Sequence, residues 1–204
     1  MKIKTTRDDL LKPLLQVGSV VERRQTLPIL ANALINATPD RIEITATDLE
    51  VELRTSAPAS ASGEADFKVP ARKLLDICKA LPEGAGIELT FEGDKLTLRS
   101  GRGRYTLGVL PAGDYPTIEP SLTSELIAVP QKVIKRLIEK TQFAMAQQDV
   151  RYYLNGMLLE IRPGRIRTVA TDGHRLALCD DRLTGERDIS LQVLLPRKAV
   201  GELG

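Results

Sequence analysis

The chain repeats itself at domain length, and this constrains its fold more than any local pattern does. Residues 30–42 read LANALINATPDRI and residues 154–166 read LNGMLLEIRPGRI, an offset of 124. Leu30 matches Leu154, Leu34 matches Leu158, Ile35 matches Leu159, Arg41 matches Arg165 and Ile42 matches Ile166. Continued without a gap, Ala46-Thr47-Asp48 falls on Ala170-Thr171-Asp172. A period this long is a whole domain, not a solenoid unit of about twenty to fifty residues. Function must then be read from what the copies share and from where they differ.

The 204 residues suit two domains, and a 42% apolar fraction suffices for ordinary cores. With 3% aromatics and no Trp, those cores must be aliphatic. A net charge of +2 carries no signal for nucleic acid, so any such signal lies in how the charges are distributed. Cys78 and Cys179 are far apart and fit no metal or CxxC spacing, so they read as small buried thiols in a reducing compartment. No apolar run approaches the roughly 18 residues of a membrane helix. The start, MKIKTT, is strand-like and has no signal-peptide core. These features point to a cytoplasmic protein.

Thr6 reads as the cap of a helix with Asp8 and Asp9 in its first turn and Leu10, Leu11, Leu14 and Leu15 at helical spacing. Pro13 should kink or weaken it. Val20–Gln25 reads as a polar, basic turn. Strands are expected in ILANALINA, RIEITATD and VELRTSA, then a strand into Pro70, a helix over about 71–81, and strands in GIELTFEG, KLTLRSG and RYTLGVL. The Pro- and Ser-rich stretch at about 111–124 is the expected linker, dividing the chain into residues 1–120 and 121–204. The second copy starts at LIAV, with a helix at 130–143, strands at about 155–162, 165–171, 174–180 and 188–195, and a helix after Pro196. It has no match for strands 86–110, which leaves either a truncated piece of a longer protein or a naturally shortened copy.

Three times an apolar residue and a proline open a helix: Val69-Pro70, Val129-Pro130 and Leu195-Pro196. Proline is expected at the first helical position, where its missing N–H costs nothing. Basic residues follow each time. In the helix from 130, Lys132, Lys135, Arg136, Glu139 and Lys140 share one arc, with Val133, Ile134, Leu137 and Ile138 opposite. In the helix from 71, Leu74, Ile77, Cys78 and Leu81 point inward and Arg72, Asp76 and Lys79 outward. Two readings stand: ordinary solvated faces, or a surface that meets phosphates without reading bases. The recurrence favours the second.

The one histidine lies in Thr171-Asp172-Gly173-His174-Arg175-Leu176. A His beside an Asp invites a catalytic reading. No GxSxG, HExxH, P-loop or strand-linked GxGxxG accompanies it. The first copy has Thr47-Asp48-Leu49-Glu50 at the same place, so Thr-Asp reads as a structural turn. Gly173, His174, Arg175 and Leu176 are specific to the second copy and suit a peptide pocket better than a reaction centre. Upstream, Gln147–Leu154 concentrates two of the four tyrosines in a polar loop. Such a loop either grips single-stranded nucleic acid or is docked by its tyrosines.

LLKPLLQV (10–17), TLPIL (26–30), TDLE (47–50), VPARKLLDIC (69–78), LPEGA (81–85), SGRGRY (100–105), QDVRYYLNGML (148–158) and TVATDGHRLA (168–177) together resemble the bacterial replicative sliding clamps, the beta subunits of DNA polymerase III. The resemblance runs through the whole chain in order. It implies an α+β fold of repeated clamp domains, antiparallel sheets outside and helices lining the inner face of a ring. It implies a first domain at 1–120, a truncated central domain at 121–204 and an absent third domain. The implied function is not enzymatic and needs no cofactor or metal: two subunits close into a homodimeric ring around duplex DNA and tether the polymerase. The implied partners are duplex DNA without sequence preference, the polymerase III alpha subunit, the clamp loader, and other polymerases and repair proteins with clamp-binding peptides, with no membrane. The implied peptide pocket includes Leu154, Thr171, Gly173, His174, Arg175 and Leu176. DNA contacts would involve Arg24, Gln148, Tyr152 and Tyr153, and the ring interface Lys73, Ile77, Arg102, Arg104, Tyr105 and Leu107. The interface's acidic counterpart would lie in the third domain, so this chain alone would not close the normal ring. The competing readings are a nucleic-acid-processing enzyme using Asp172 and His174, and a binding module that holds nucleic acid without a ring.

Overall fold

The computed structural model describes residues 1–21, 27–118, 127–183 and 189–204. The chain divides into two compact units, Met1–Pro120 and Ser121–Gly204, the boundary the linker composition predicts.

In the first unit, β1 (Lys2–Thr6) leads into α1 (Arg7–Gly18). Thr6 caps α1, its Oγ1 accepting from Asp9 N at 3.2 Å, and Asp8 and Asp9 face the positive end of the helix dipole. The helix runs through Pro13, which is buried. Leu10 and Leu14 face the core, whereas Leu15 is exposed. Strands β2 (Asn32–Ala37), β3 (Arg41–Thr47), β4 (Glu52–Pro58), β5 (Ser60–Ala61) and β6 (Ala65–Pro70) follow. The residues before β2, Pro28–Ala31, form a 3-10 turn instead of extending the strand. Helix α2 (Ala71–Ala80) precedes the meander β7 (Gly86–Glu92), β8 (Lys95–Ser100) and β9 (Gly103–Gly108), and β10 (Leu110–Pro111) ends it.

These strands form two sheets, ordered β5-β1-β7-β8-β9 and β10-β6-β2-β3-β4, with antiparallel pairing throughout. Both helices pack on the sheets and on each other, around one continuous aliphatic core. Its one ring stack is Phe67 on Phe91, with centroids 4.6 Å apart. Cys78 is fully buried, and burial pushes its thiol up to about 12.

The second unit has α3 (Gln131–Thr141), a 3-10 turn at Gln142–Ala144 and a second at Tyr152–Asn155. Then come β11 (Gly156–Arg162), β12 (Arg165–Thr171), β13 (Leu176–Arg182), β14 (Leu191–Pro196) and α4 (Arg197–Leu203). The sheet order β13-β12-β11-β14 is that of β4-β3-β2-β6, and α3 and α4 pack on it as α1 and α2 do on theirs. The sequence repeat is therefore a repeat of architecture. Ile127–Pro130 joins no sheet: its counterpart β1 pairs with β7, which has no equivalent among the described residues. Cys179 is half-buried, not buried.

The three prolines sit one place earlier than expected. Pro70, Pro130 and Pro196 are helix N-caps, and Pro70 and Pro196 are also the last residues of β6 and β14. A fixed φ near −60° suits both a strand end and a helix entry, so proline marks the junction itself.

Candidate functional site

The Thr-Asp turns of the two units have one design. In the first, Thr47 Oγ1 accepts from Leu49 N at 3.0 Å, and Asp48 Oδ1 accepts from Glu50 N and Val51 N at 2.9 and 2.8 Å. In the second, Thr171 Oγ1 accepts from Gly173 N at 3.1 Å, and Asp172 Oδ1 accepts from His174 N and Arg175 N, each at 3.0 Å. Both side chains satisfy backbone donors that no strand pairs. The left-handed backbone is part of the design too: φ is +76° at Leu49 and +88° at Gly173. Glycine is therefore not what permits the turn.

What Gly173 provides is space. A Cβ there would lie 3.2 Å from a terminal nitrogen of Arg151. That guanidinium belongs to the tyrosine loop, where it pairs with both carboxylate oxygens of Asp149 at 3.0 and 2.9 Å. Asp149 N donates to Asn155 Oδ1, and Asn155 Nδ2 donates back to the Asp149 carbonyl. Loop and turn thus meet at Arg151 and Gly173, a contact that spacing alone does not reveal. The Arg151 side chain and backbone N–H hold Asp149 at about 2.

Around the turn the surface is mixed apolar and basic. Arg175 Nε lies 3.0 Å from Asp172 Oδ2, and its guanidinium donates to the Phe143 carbonyl at 2.8 Å and lies 5.8 Å from the Phe143 ring centroid. The backbone N–H groups of Arg175 and His174, then the Arg175 side chain, hold Asp172 at about 2. A carboxylate engaged this fully is poorly placed to act as a base for His174. Leu176 is 64% exposed, His174 is exposed, and Phe143 is 58% exposed. Leu154, on the tyrosine loop, is buried, its carbonyl accepting from Ala146 N. A recess of about 360 Å³ beside Phe143 is lined by Gln142, Met145, Arg197 and Gly201. Phe143 carries no sequence signal, because it follows a helix whose end periodicity does not fix.

Of the residues expected at DNA, Gln148 is exposed with φ +57°. Tyr152 and Tyr153 are 78% and 54% exposed and contact each other edge-on, so the tyrosines do not dock the loop. Arg24 lies outside the described residues. On α3, Lys132, Lys135, Arg136 and Lys140 are exposed and Leu137 and Ile138 buried, as the periodicity predicts. Arg136 also reaches Asp181, and Lys135 lies 4.0 Å from Glu139.

The expected ring-interface residues gather at one edge of the first unit. Lys73 and Ile77 lie on α2, which packs against β9, the free edge strand; Arg102 lies in the turn before it, and Arg104 and Tyr105 on it. Leu107 lies on it too, on the same face as Tyr105, and is 7% exposed, packed against the unit's core.

Residues 1–119 match the family described as DNA polymerase III beta subunit, N-terminal domain, and residues 128–204 match its central domain. The chain is 50% identical over 204 residues to a protein named beta sliding clamp from Pseudomonas putida, and 48% identical to that of Escherichia coli K12, covering all of this chain and 56% of each relative. It superposes on the crystal structure of the DNA polymerase III subunit beta of Pseudomonas aeruginosa with a TM-score of 0.94 at 48% identity, and on the Bacillus subtilis sliding clamp with 0.93 at 28%, again over 56% of each. With both units matched in order, the chain belongs to the DNA polymerase III beta subunit family.

Proposed function

We propose that this chain acts in a sliding clamp, a non-catalytic ring that encircles duplex DNA and tethers the replicative polymerase. The observation that carries the reading is the exposed basic face of α3 within a unit whose architecture is repeated. Contacts from lysine to phosphate hold a duplex without reading its sequence, so the ring can move along it. Gln148, Tyr152 and Tyr153 grip the single-stranded end, with Arg24 assisting at the duplex. Leu154, Thr171, Gly173, His174, Arg175 and Leu176 form one wall of a pocket for the apolar peptides of polymerases, clamp loader and repair proteins. Lys73, Ile77, Arg102, Arg104, Tyr105 and Leu107 present the edge at which a second subunit closes the ring. The site of action is the cytoplasm, where the chromosome is copied.

The test is anisotropy of labelled duplexes of unrelated sequence titrated into the chain. The expected result is weak binding, equal across sequences, that falls steeply with salt and falls further in Lys132→Glu with Lys135→Glu. Sequence-selective or salt-insensitive binding contradicts the reading.

A further inference from the structure

On the second unit's sheet, the face away from α3 and α4 ends in a row of arginines that nothing above uses. Strand alternation sends Met157, Ile161, Ile166 and Ala170 into the core and leaves Glu160, Arg162, Arg165, Arg167 and Arg182 on the opposite face. Arg162 is paired with Arg165 across the β11–β12 hairpin, and Arg165 with Arg182 on β13. Like charges directly opposite one another destabilise a sheet. The row is held by one carboxylate. Glu160 is 7% exposed and accepts from Arg165 at 3.0 Å, from Arg162 at 3.2 Å and from the Gln192 amide at 2.6 Å. Beside it Arg167 donates to Asp180 at 2.5 and 2.8 Å, and Arg165 also helps to hold the Asp180 carboxyl low.

We propose that this row is a docking surface for an acidic segment of a partner protein. Among the described residues, Arg162, Arg165, Arg167 and Arg182 against Glu160 and Asp180 leave an excess of two positive charges, with the guanidiniums of Arg162 and Arg165 fixed in direction and still about half exposed. Arginine forks match carboxylates two bonds at a time. The row crosses three strands, about 10 Å, which is the length of about three extended residues. Two excess charges release few counterions, so a nucleic-acid backbone gains little here. The first unit has Asn36, Thr38, Arg41 and Pro58 at the matching positions. The surface therefore belongs to the second unit alone, and it lies at the opposite end of β12 from the Thr171–Arg175 turn.

The experiment titrates fluorescein-labelled hexaglutamate, and hexaglutamine as control, into the whole chain at low salt and reads anisotropy. Hexaglutamate is expected to bind and hexaglutamine not to, with affinity falling about tenfold or more in R162E/R165E. R162Q/R165Q, which reverses no charge, should lose binding while still melting cooperatively well above the assay temperature, showing that the loss is not unfolding. Equal hexaglutamate binding by the native chain and both variants overturns the proposal. So does a single-stranded oligonucleotide that binds more tightly than hexaglutamate and is lost in the same variants, which would assign the row to nucleic acid.

Discussion

The turns at Thr47–Val51 and Thr171–Arg175 share their hydrogen bonds and their left-handed third residue, yet differ in everything they display. The first shows Leu49 and Glu50 and buries Val51; the second shows His174, has the exposed Arg175 where Val51 stands, and leads to the exposed Leu176. Thr and Asp build the scaffold, and the residues hung on it determine what it meets. The cores differ in the same way. Thr141 and Thr168 are buried, bonded to each other at 3.1 Å and both to the Leu137 carbonyl. The matching positions in the first unit are Val17 and Ile44. One architecture thus accepts a polar pair or an apolar pair at its helix–sheet contact, provided that the set is self-consistent.

The comparison can be broken by exchanging residues between the copies. The largest effect is expected from Gly173→Leu, which gives the second turn the first turn's residue. It adds a left-handed side chain, about 1–2 kcal/mol, and drives Arg151 from its place against residue 173. Chemical denaturation should show the loss, and the Arg151 side-chain resonances should shift; an unchanged midpoint would mean that the space at Gly173 is unimportant. Next, Thr168→Ile alone should cost about 2 kcal/mol, whereas Thr141→Val with Thr168→Ile should return to within about 0.5 kcal/mol of the native chain. Additive losses would contradict the interchangeability of the two pairs.

Leu49→Gly should be the mildest change to the fold. Relief of the left-handed leucine is offset by the greater freedom of glycine in the unfolded chain, leaving a gain under about 1 kcal/mol. Last, the Asp172 side-chain carboxyl carbon resonance should keep its ionised position down past the ordinary Asp value of 3.8 and move with a midpoint of about 2. The sign follows from the depressed value: the bonds of Asp172 are fully present above the unfolded-chain value and are lost as pH falls through the folded one. A midpoint near 3.8 would mean that the carboxylate is not held by the turn.

Local signals were legible in the sequence. Thr6 as a cap, the two faces of α3 and the Thr-Asp turns all depend on neighbours a few residues apart, and each appears as expected. Contacts set by register were not. The meeting of Arg151 with Gly173, and the Phe143 carbonyl under Arg175, join residues 22 and 32 positions apart with no repeating pattern between them. Tyr115 was hidden for another reason. It lies in a stretch without periodicity, yet its hydroxyl donates to the Asn32 carbonyl at 3.0 Å and is pushed up to about 12 by burial, fastening the first part of the expected linker onto β2.

The measurement that tests the central claim most directly is a titration of an apolar clamp-binding peptide into the chain, followed by backbone amide shifts at both turns. Docking on the second unit predicts shifts at Gly173–Leu176 and none at Leu49–Val51, with the response abolished by Arg175→Ala together with Leu176→Ala. Equal shifts at both turns, or a response that survives in that variant, would contradict the assignment of the peptide site to the residues that distinguish the second copy.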